Sequence, residues 1–202
     1  MDVLIAENII TIRKKLNEMK ILDLGCRNEK YPNSIGVDID ETVKPDIVWD
    51  LNKIPWPFND NTFDQVWARH IYEHIDNPVN FINEIHRVCK NNAIVEIMAP
   101  HASTVNVWST IDHKRGMTTL TFKDIEQHGF KIIKTEIRKA QKLDTRRLPI
   151  HKLIMDKFLT WLANRNQYLC EQGWCYWVGG FNEIYGKLGV VKCTVLSLMV
   201  IK

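Results

Sequence analysis

No run of these 202 residues is apolar for long enough to cross a bilayer as a helix. The opening stretch, MDVLIAENIITIRKKLNEMK, sets acids and bases among its apolar residues, so it is not expected to be a secretory leader. The five cysteines, at 26, 89, 170, 175 and 193, form no C-x-x-C pair, which argues against a zinc ribbon. Their odd number and wide spacing also argue against a disulfide framework, and reduced thiols in a cytoplasmic protein are the expectation. Charge of one sign is scarce: 27 Lys and Arg against 24 Asp and Glu leave a net +3. A nucleic-acid partner is therefore not expected, because such a footprint needs clustered cations. No fixed-period repeat and no low-complexity tract is present. The G-x-G-x-x-G fingerprint is absent too, which counts against a nicotinamide-dependent oxidoreductase.

What is present is ordinary globular composition, 45% hydrophobic and 25% charged, at a length that suits a single domain over 1–202. Leu4, Ile5, Ile9, Ile12 and Leu16 are near helical spacing, which predicts a helix over 4–18. KILDLG, SIGVDID and DIVWDL then read as short buried strands, and TFDQVWA and NAIVEIMA as a fourth and fifth. Between the last two, NPVNFINEIHRVCK offers Asn77 as cap, Pro78 at the first helical position and an apolar stripe of Phe81, Ile82, Ile85 and Val88. Alternation of this kind predicts an α/β, doubly wound, Rossmann-like sheet with ligands beyond the carboxyl ends of its strands. The tail departs from the alternation: 130–138 and 190–202 read as strands rich in β-branched residues.

The segments ILDLGCRNEKYPNSIGVDID, DIVWDLNKIPWPFNDNTFDQVWARHIYEHI and AIVEIMAPH resemble the class I S-adenosylmethionine-dependent methyltransferases of the small-molecule "type 11" style. The resemblance covers about residues 20–101 and, by pattern, the two tail strands. It implies a seven-stranded, mostly parallel sheet whose antiparallel C-terminal strand lies between the fifth and sixth. It also implies S-adenosylmethionine as cofactor, with Asp23, Gly25 and Cys26 in the first turn, Asp38 and neighbouring Ile39 at the ribose, and Asp50 with Leu51 at the adenine. Arg69 and His70 fall where family members line the sulfonium side. Physical chemistry supports these roles: glycine lets backbone approach a ligand, and an ionised carboxylate accepts from a ribose diol while repelling a 2′-phosphate. Arg27 stands where the family has a second glycine; its guanidinium either pairs the methionyl carboxylate or points to solvent.

RHIYEHI, residues 69–75, contains H-x-x-E-H, the spelling of a zinc site in which His70 and His74 share a helix face. FDQVWARH instead reads as a strand running into its terminal loop, so the two rings would not share a face and no metal is expected. After the fifth strand, PHASTVNVWSTIDHKRGMTTLTF (100–122) loosely resembles a segment of methyltransferases from sugar and cell-envelope pathways, with a helix starting at Thr121-Phe122. For a hydroxyl acceptor, His101 and His113 are candidate bases, with Asp112 as the partner orienting one of them, and Trp108 and Arg115 are candidate acceptor-binding residues. Each histidine alone also suits a structural hydrogen bond. Residues 139–189 read as a helical insertion or lid that packs on the sheet, with peripheral membrane contact the lesser alternative. The expected activity is methyl transfer to a small-molecule or glycan-related oxygen or nitrogen. A methyltransferase-fold accessory protein and an RNA methyltransferase are the alternatives.

Overall fold

Seven strands are ordered by apolar runs that bury on meeting their neighbours. In the computed structural model they are β1 (Ile21–Leu24), β2 (Ser34–Asp38), β3 (Ile47–Val48), β4 (Phe63–Arg69), β5 (Cys89–Pro100), β6 (Phe130–Arg138) and β7 (Cys193–Val200). The structure describes residues 18–102, 104, 107–108, 110–138, 158, 161, 164–165 and 193–202. The sequence-predicted helix over 4–18 lies almost wholly outside them, as does most of the insertion over 139–189. The sheet order is β3-β2-β1-β4-β5-β7-β6. Strands β3, β2, β1, β4 and β5 run parallel, and β7 is antiparallel to both β5 and β6. This is the expected architecture, with the C-terminal strand inserted between the fifth and sixth.

Parallel strands need crossovers, and among the described residues the one between β4 and β5 is an α-helix, α1 (Pro78–Val88). Asn77 caps it by accepting from Val79 N and Asn80 N, and Pro78 occupies the first helical position, where no N–H is required. Phe81, Ile82, Ile85 and Val88 are buried against Leu22, Val66, Val95 and Leu198 in one core. Each such side chain contributes about 1.5–3 kcal/mol by leaving water, far more than helix propensity supplies. The central strands are the deepest: Leu22, Leu24, Val66, Ala68, Val95 and Ile97 have no accessible surface.

Three local expectations are corrected. DIVWDL forms only a two-residue strand, because β3 is the sheet margin and pairs on one side alone, and Trp49 N then turns to Asp38 O at 2.9 Å. β5 begins three residues before NAIVEIMA, at Cys89, which pairs with Phe63 across a register irregularity. No α-helix starts at Thr121-Phe122. There, Thr118 N donates to Thr121 Oγ1 and Leu120 N to Thr118 Oγ1, so hydroxyls take donors in a turn, and only a 3-10 helix, Ile125–His128, follows.

The loop between β3 and β4 is fastened to α1 by charge. Glu84 accepts from Trp56 N at 2.7 Å and from both Nε and Nη2 of Arg87 at 2.8 Å, and Arg87 reaches on to the carbonyls of Phe58 and Trp56. Burial opposes the charge on Glu84, but Arg87 and the Trp56 N–H outweigh it and hold the carboxyl below its ordinary value of 4.5. A depressed carboxyl pKa stabilises the fold above the unfolded value, and that contribution is lost as pH falls through the folded value. Glu84→Gln should therefore cost about 1.5–3 kcal/mol at pH 7 in urea unfolding. The gap between mutant and parent should close as pH falls below about 4; a gap independent of pH would contradict the assignment.

Candidate functional site

The carboxyl ends of β1, β2, β3 and β4 open on one edge of the sheet, and a cavity of about 650 Å³ lies there. Gly25, Arg27, Asp38, Ile39, Asp50, Leu51, His70 and Asp112 line it, eight of the residues singled out from sequence. Its mouth is built by a sharp corner after β1. Gly25 N and Cys26 N both donate to Val37 O, at 2.8 and 3.1 Å, which folds the corner onto β2. Those two N–H groups are thus occupied within the protein and do not face a ligand. The glycine is required for another reason. Its φ is +67°, a left-handed conformation, and a Cβ there would stand 3.0 Å from Cβ of Ile71.

Asp38 ends β2 with its carboxylate already oriented. Its Oδ2 accepts from Arg27 N at 3.0 Å and its Oδ1 from Asp40 N at 3.1 Å. Arg27 itself is exposed and takes φ +48°, so it reproduces the backbone turn of a glycine at the expense of strain. Asp50 accepts from Asn52 N at 3.0 Å, and the indole of Trp49 donates to Lys53 O, closing the far wall. Exposed Ile39 and buried Leu51 add apolar surface between these carboxylates. Four carboxylates, Asp38, Asp40, Asp50 and Asp112, share the wall with the cations Arg27 and Lys114. An acid-rich concavity of this kind favours a ligand carrying positive charge.

Other expected residues support the wall from behind. Asp23 is fully buried; its Oδ2 accepts from Tyr31 N at 2.7 Å and from Arg69 Nη2 at 3.0 Å. Burial pushes the Asp23 carboxyl up, against the pull of the Tyr31 N–H and the Arg69 guanidinium. Arg69 also donates to Glu29 O, so it staples the loop after β1 rather than facing the cavity. Cys26 is buried beside Gly36, and burial raises its thiol to about 11, which keeps it protonated. Trp108 is 70% exposed and donates to Ala102 O, while Arg115 donates to the carbonyls of Ile75 and Asp76 and lies over Tyr72. Neither lines the cavity. His101 is 1% exposed and bridges to Met117 behind the wall.

His70 follows β4 at φ +55°, and the 3-10 turn Tyr72–His74 begins after it, so His70 and His74 do not form the helical pair that the spelling suggests. Asp112 does not orient the adjacent His113 but pairs with His74, Oδ2 to Nδ1 at 3.1 Å. The His113 ring packs edge-on against His74, centroids 4.8 Å apart. Trp49, Asn28, Val43, His74 and Lys114 line the cavity without having been expected there. Trp49 stood next to Asp50 in the sequence as a signal. Lys114 arrives only because the chain after β5 folds back, its N donating to Glu73 O.

A family model described as a methyltransferase domain matches residues 24–97. An uncharacterized protein of Methanocaldococcus jannaschii is 32% identical over 147 residues, and the match covers 65% of each chain. The chain thus spans less than two thirds of that relative's length. Among solved structures, a SAM-dependent methyltransferase from Archaeoglobus fulgidus superposes with a TM-score of 0.58 at 20% identity, over 98% of this chain and 94% of that one. The [4+2]-cyclase SpnF gives 0.55 at 15% identity, over 91% and 75%. Phosphoethanolamine N-methyltransferase 2 of Haemonchus contortus, in complex with S-adenosyl-L-methionine, gives 0.54 at 14% identity, over 91% and 49%. At these identities the structures establish the fold.

Gly25→Ala tests the corner. It should lower unfolding free energy by about 1–2 kcal/mol through the left-handed backbone alone, with crowding of Ile71 added. Stability equal to the parent in denaturant titration would mean that the corner is not strained.

Proposed function

We propose that this chain, whose residues 24–97 match a methyltransferase-domain model, is a class I S-adenosylmethionine-dependent methyltransferase, that the cavity binds S-adenosylmethionine and that the protein moves its methyl group to a small-molecule or glycan-related acceptor. The observation carrying this reading is the placement of Asp38. It terminates β2 at the cavity, and each of its oxygens is held by one backbone N–H. A carboxylate oxygen has two acceptor directions, so both oxygens retain capacity for a ribose diol in the plane thus fixed. Asp50, with one oxygen on Asn52 N, keeps acceptor capacity for an adenine amino group, and Ile39 and Leu51 supply apolar surface for the ring.

When bound, S-adenosylmethionine supplies an electrophilic methyl on a sulfonium, and the transfer is an in-line displacement. The protein's share is to bind, orient and exclude water. The acid-rich wall suits the sulfonium charge, and turning Arg69 away onto Asp23 and Glu29 keeps a guanidinium from opposing it. An acceptor hydroxyl also has to lose a proton. His70, His74 and Asp112 are the cavity groups able to receive one. His113 stands directly behind His74, whereas His101 is enclosed in this conformation. The acceptor side opens beside the turn Tyr72–His74 and Lys114.

Isothermal titration with S-adenosylmethionine tests the reading. The parent should bind, and Asp38→Ala should weaken binding by about 10- to 100-fold, as expected for losing charge-assisted hydrogen bonds. Equal affinities would refute the ribose assignment. Transfer of labelled methyl from the same cofactor into a metabolite extract, run beside an RNA fraction, should place label in the former. Binding without transfer to either would favour the accessory-protein reading.

A further inference from the structure

Glu73, His74 and His113 bring ligand-type atoms to within 4.8 Å of one another at the edge of the cavity. Two features of this cluster are unusual. Glu73 is 1% exposed, and its Oε2 is buried without a hydrogen-bond partner. Nδ1 of His113 is buried and unpartnered as well. An unsatisfied buried carboxylate oxygen costs more than a lost neutral hydrogen bond, and here it shares one small space with an unsatisfied imidazole nitrogen. Two separate segments produce the arrangement, since Glu73 and His74 come from the 3-10 turn after β4 and His113 from the connection after β5.

We propose that Glu73, His74 and His113 form a binding site for one first-row divalent transition-metal ion of the zinc type. One carboxylate and two imidazoles are a donor set for such ions, whereas magnesium and calcium prefer oxygen alone. Around a tetrahedral ion the donors would stand about 3.4 Å apart, so the cluster closes by roughly an ångström or so on filling. The groups behind it fit. Asp112 Oδ2 lies 3.1 Å from Nδ1 of His74, and His70 Nδ1 lies 3.4 Å from Oε1 of Glu73, as outer partners that orient ligands do. Glu73 and Asp112 together offset a double positive charge. The nearby cation Lys114 is held on Asp76 and His74 O, and Arg115 on the carbonyls of Ile75 and Asp76.

Three protein donors leave a coordination position open. His74 and Asp112 also line the cavity, so that position would take an acceptor oxygen or nitrogen and ease its deprotonation. This last step rests on the methyltransferase reading; ion binding does not. It replaces the helical His70–His74 chelate of the zinc-site spelling with a set gathered by the fold.

The test uses the full-length protein, stripped with a chelator and titrated with zinc by calorimetry and with cobalt by visible absorption. One ion per chain should bind. Glu73→Gln, a nearly isosteric change, and His113→Ala should each weaken it by about 10- to 100-fold or more, and His128→Ala should not. Zinc should raise the thermal midpoint of the parent but not of Glu73→Gln. Binding unaffected by Glu73→Gln and His113→Ala, or a cobalt spectrum with thiolate charge-transfer bands, would overturn the site, as would no binding. Titrating S-adenosylmethionine into Glu73→Gln in parallel separates the two readings: loss of metal with cofactor affinity retained supports the site. A parent that binds zinc but no cofactor supports the site and refutes the methyltransferase reading.

Discussion

A single carbonyl oxygen, that of Val37, sets the geometry of the cavity. Two successive N–H groups from the β1 corner converge on it, and the residue after it is Asp38. Pulling the corner onto β2 brings Arg27 N to Asp38 Oδ2 and presses Gly25 against Ile71, the residue that leads into the turn after β4. Three strand ends thereby meet at a corner that a side chain at position 25 would crowd. A buried carbonyl with both lone pairs engaged is also favourable in itself, since its alternative is an unsatisfied polar group in the core.

Charge is then distributed in two layers. Behind the wall, Asp23 is enclosed and paired with Arg69 and the Tyr31 N–H, an arrangement that burial penalises but that fixes the loop over residues 29–31. In front, Asp38, Asp40, Asp50 and Asp112 remain in contact with the cavity. Removing the cation Arg69 to the rear layer leaves the front layer acidic. The same division explains why the expected cofactor-side role of Arg69 corresponds to a supporting role here, and why Cys26, although next to Gly25 in sequence, ends beneath the surface against Gly36.

Much of this was legible in the sequence. The strands with apolar runs, the Asn77-Pro78 helix start and the antiparallel final strand follow from periodicity and from family resemblance, because each depends on local pattern. Gly25, Asp38 and Asp50 were legible because a strand that ends in an acid or a glycine presents it at the ligand edge. The connection after β5 was not. Its contacts are made across the chain: Asp112 was expected beside His113 because they are adjacent, yet it pairs with His74, 38 positions away in the numbering. Lys114, Arg115 and His113 are all placed by the return of this segment onto residues 73–76, a tertiary event with no periodic signature. Thr121-Phe122 likewise read as a helix start, but the Thr121 hydroxyl accepts from Thr118 N and the Thr118 hydroxyl from Leu120 N. Residues 139–189 were expected to form a lid; of these only 158, 161, 164 and 165 are described, with Asn164 bonded to both polar groups of Ile137 on β6.

In the proposed function a carboxylate ending β2, fixed by Arg27 N and Asp40 N beside a glycine corner, receives the sugar of a nucleoside ligand. A crystal structure with S-adenosylhomocysteine measures this most directly. Both ribose hydroxyls should lie within hydrogen-bonding distance of Asp38, with the adenine against Ile39 and Leu51. A ligand bound elsewhere, or a ribose turned away from Asp38 with its carboxylate still held by the two N–H groups, would contradict it.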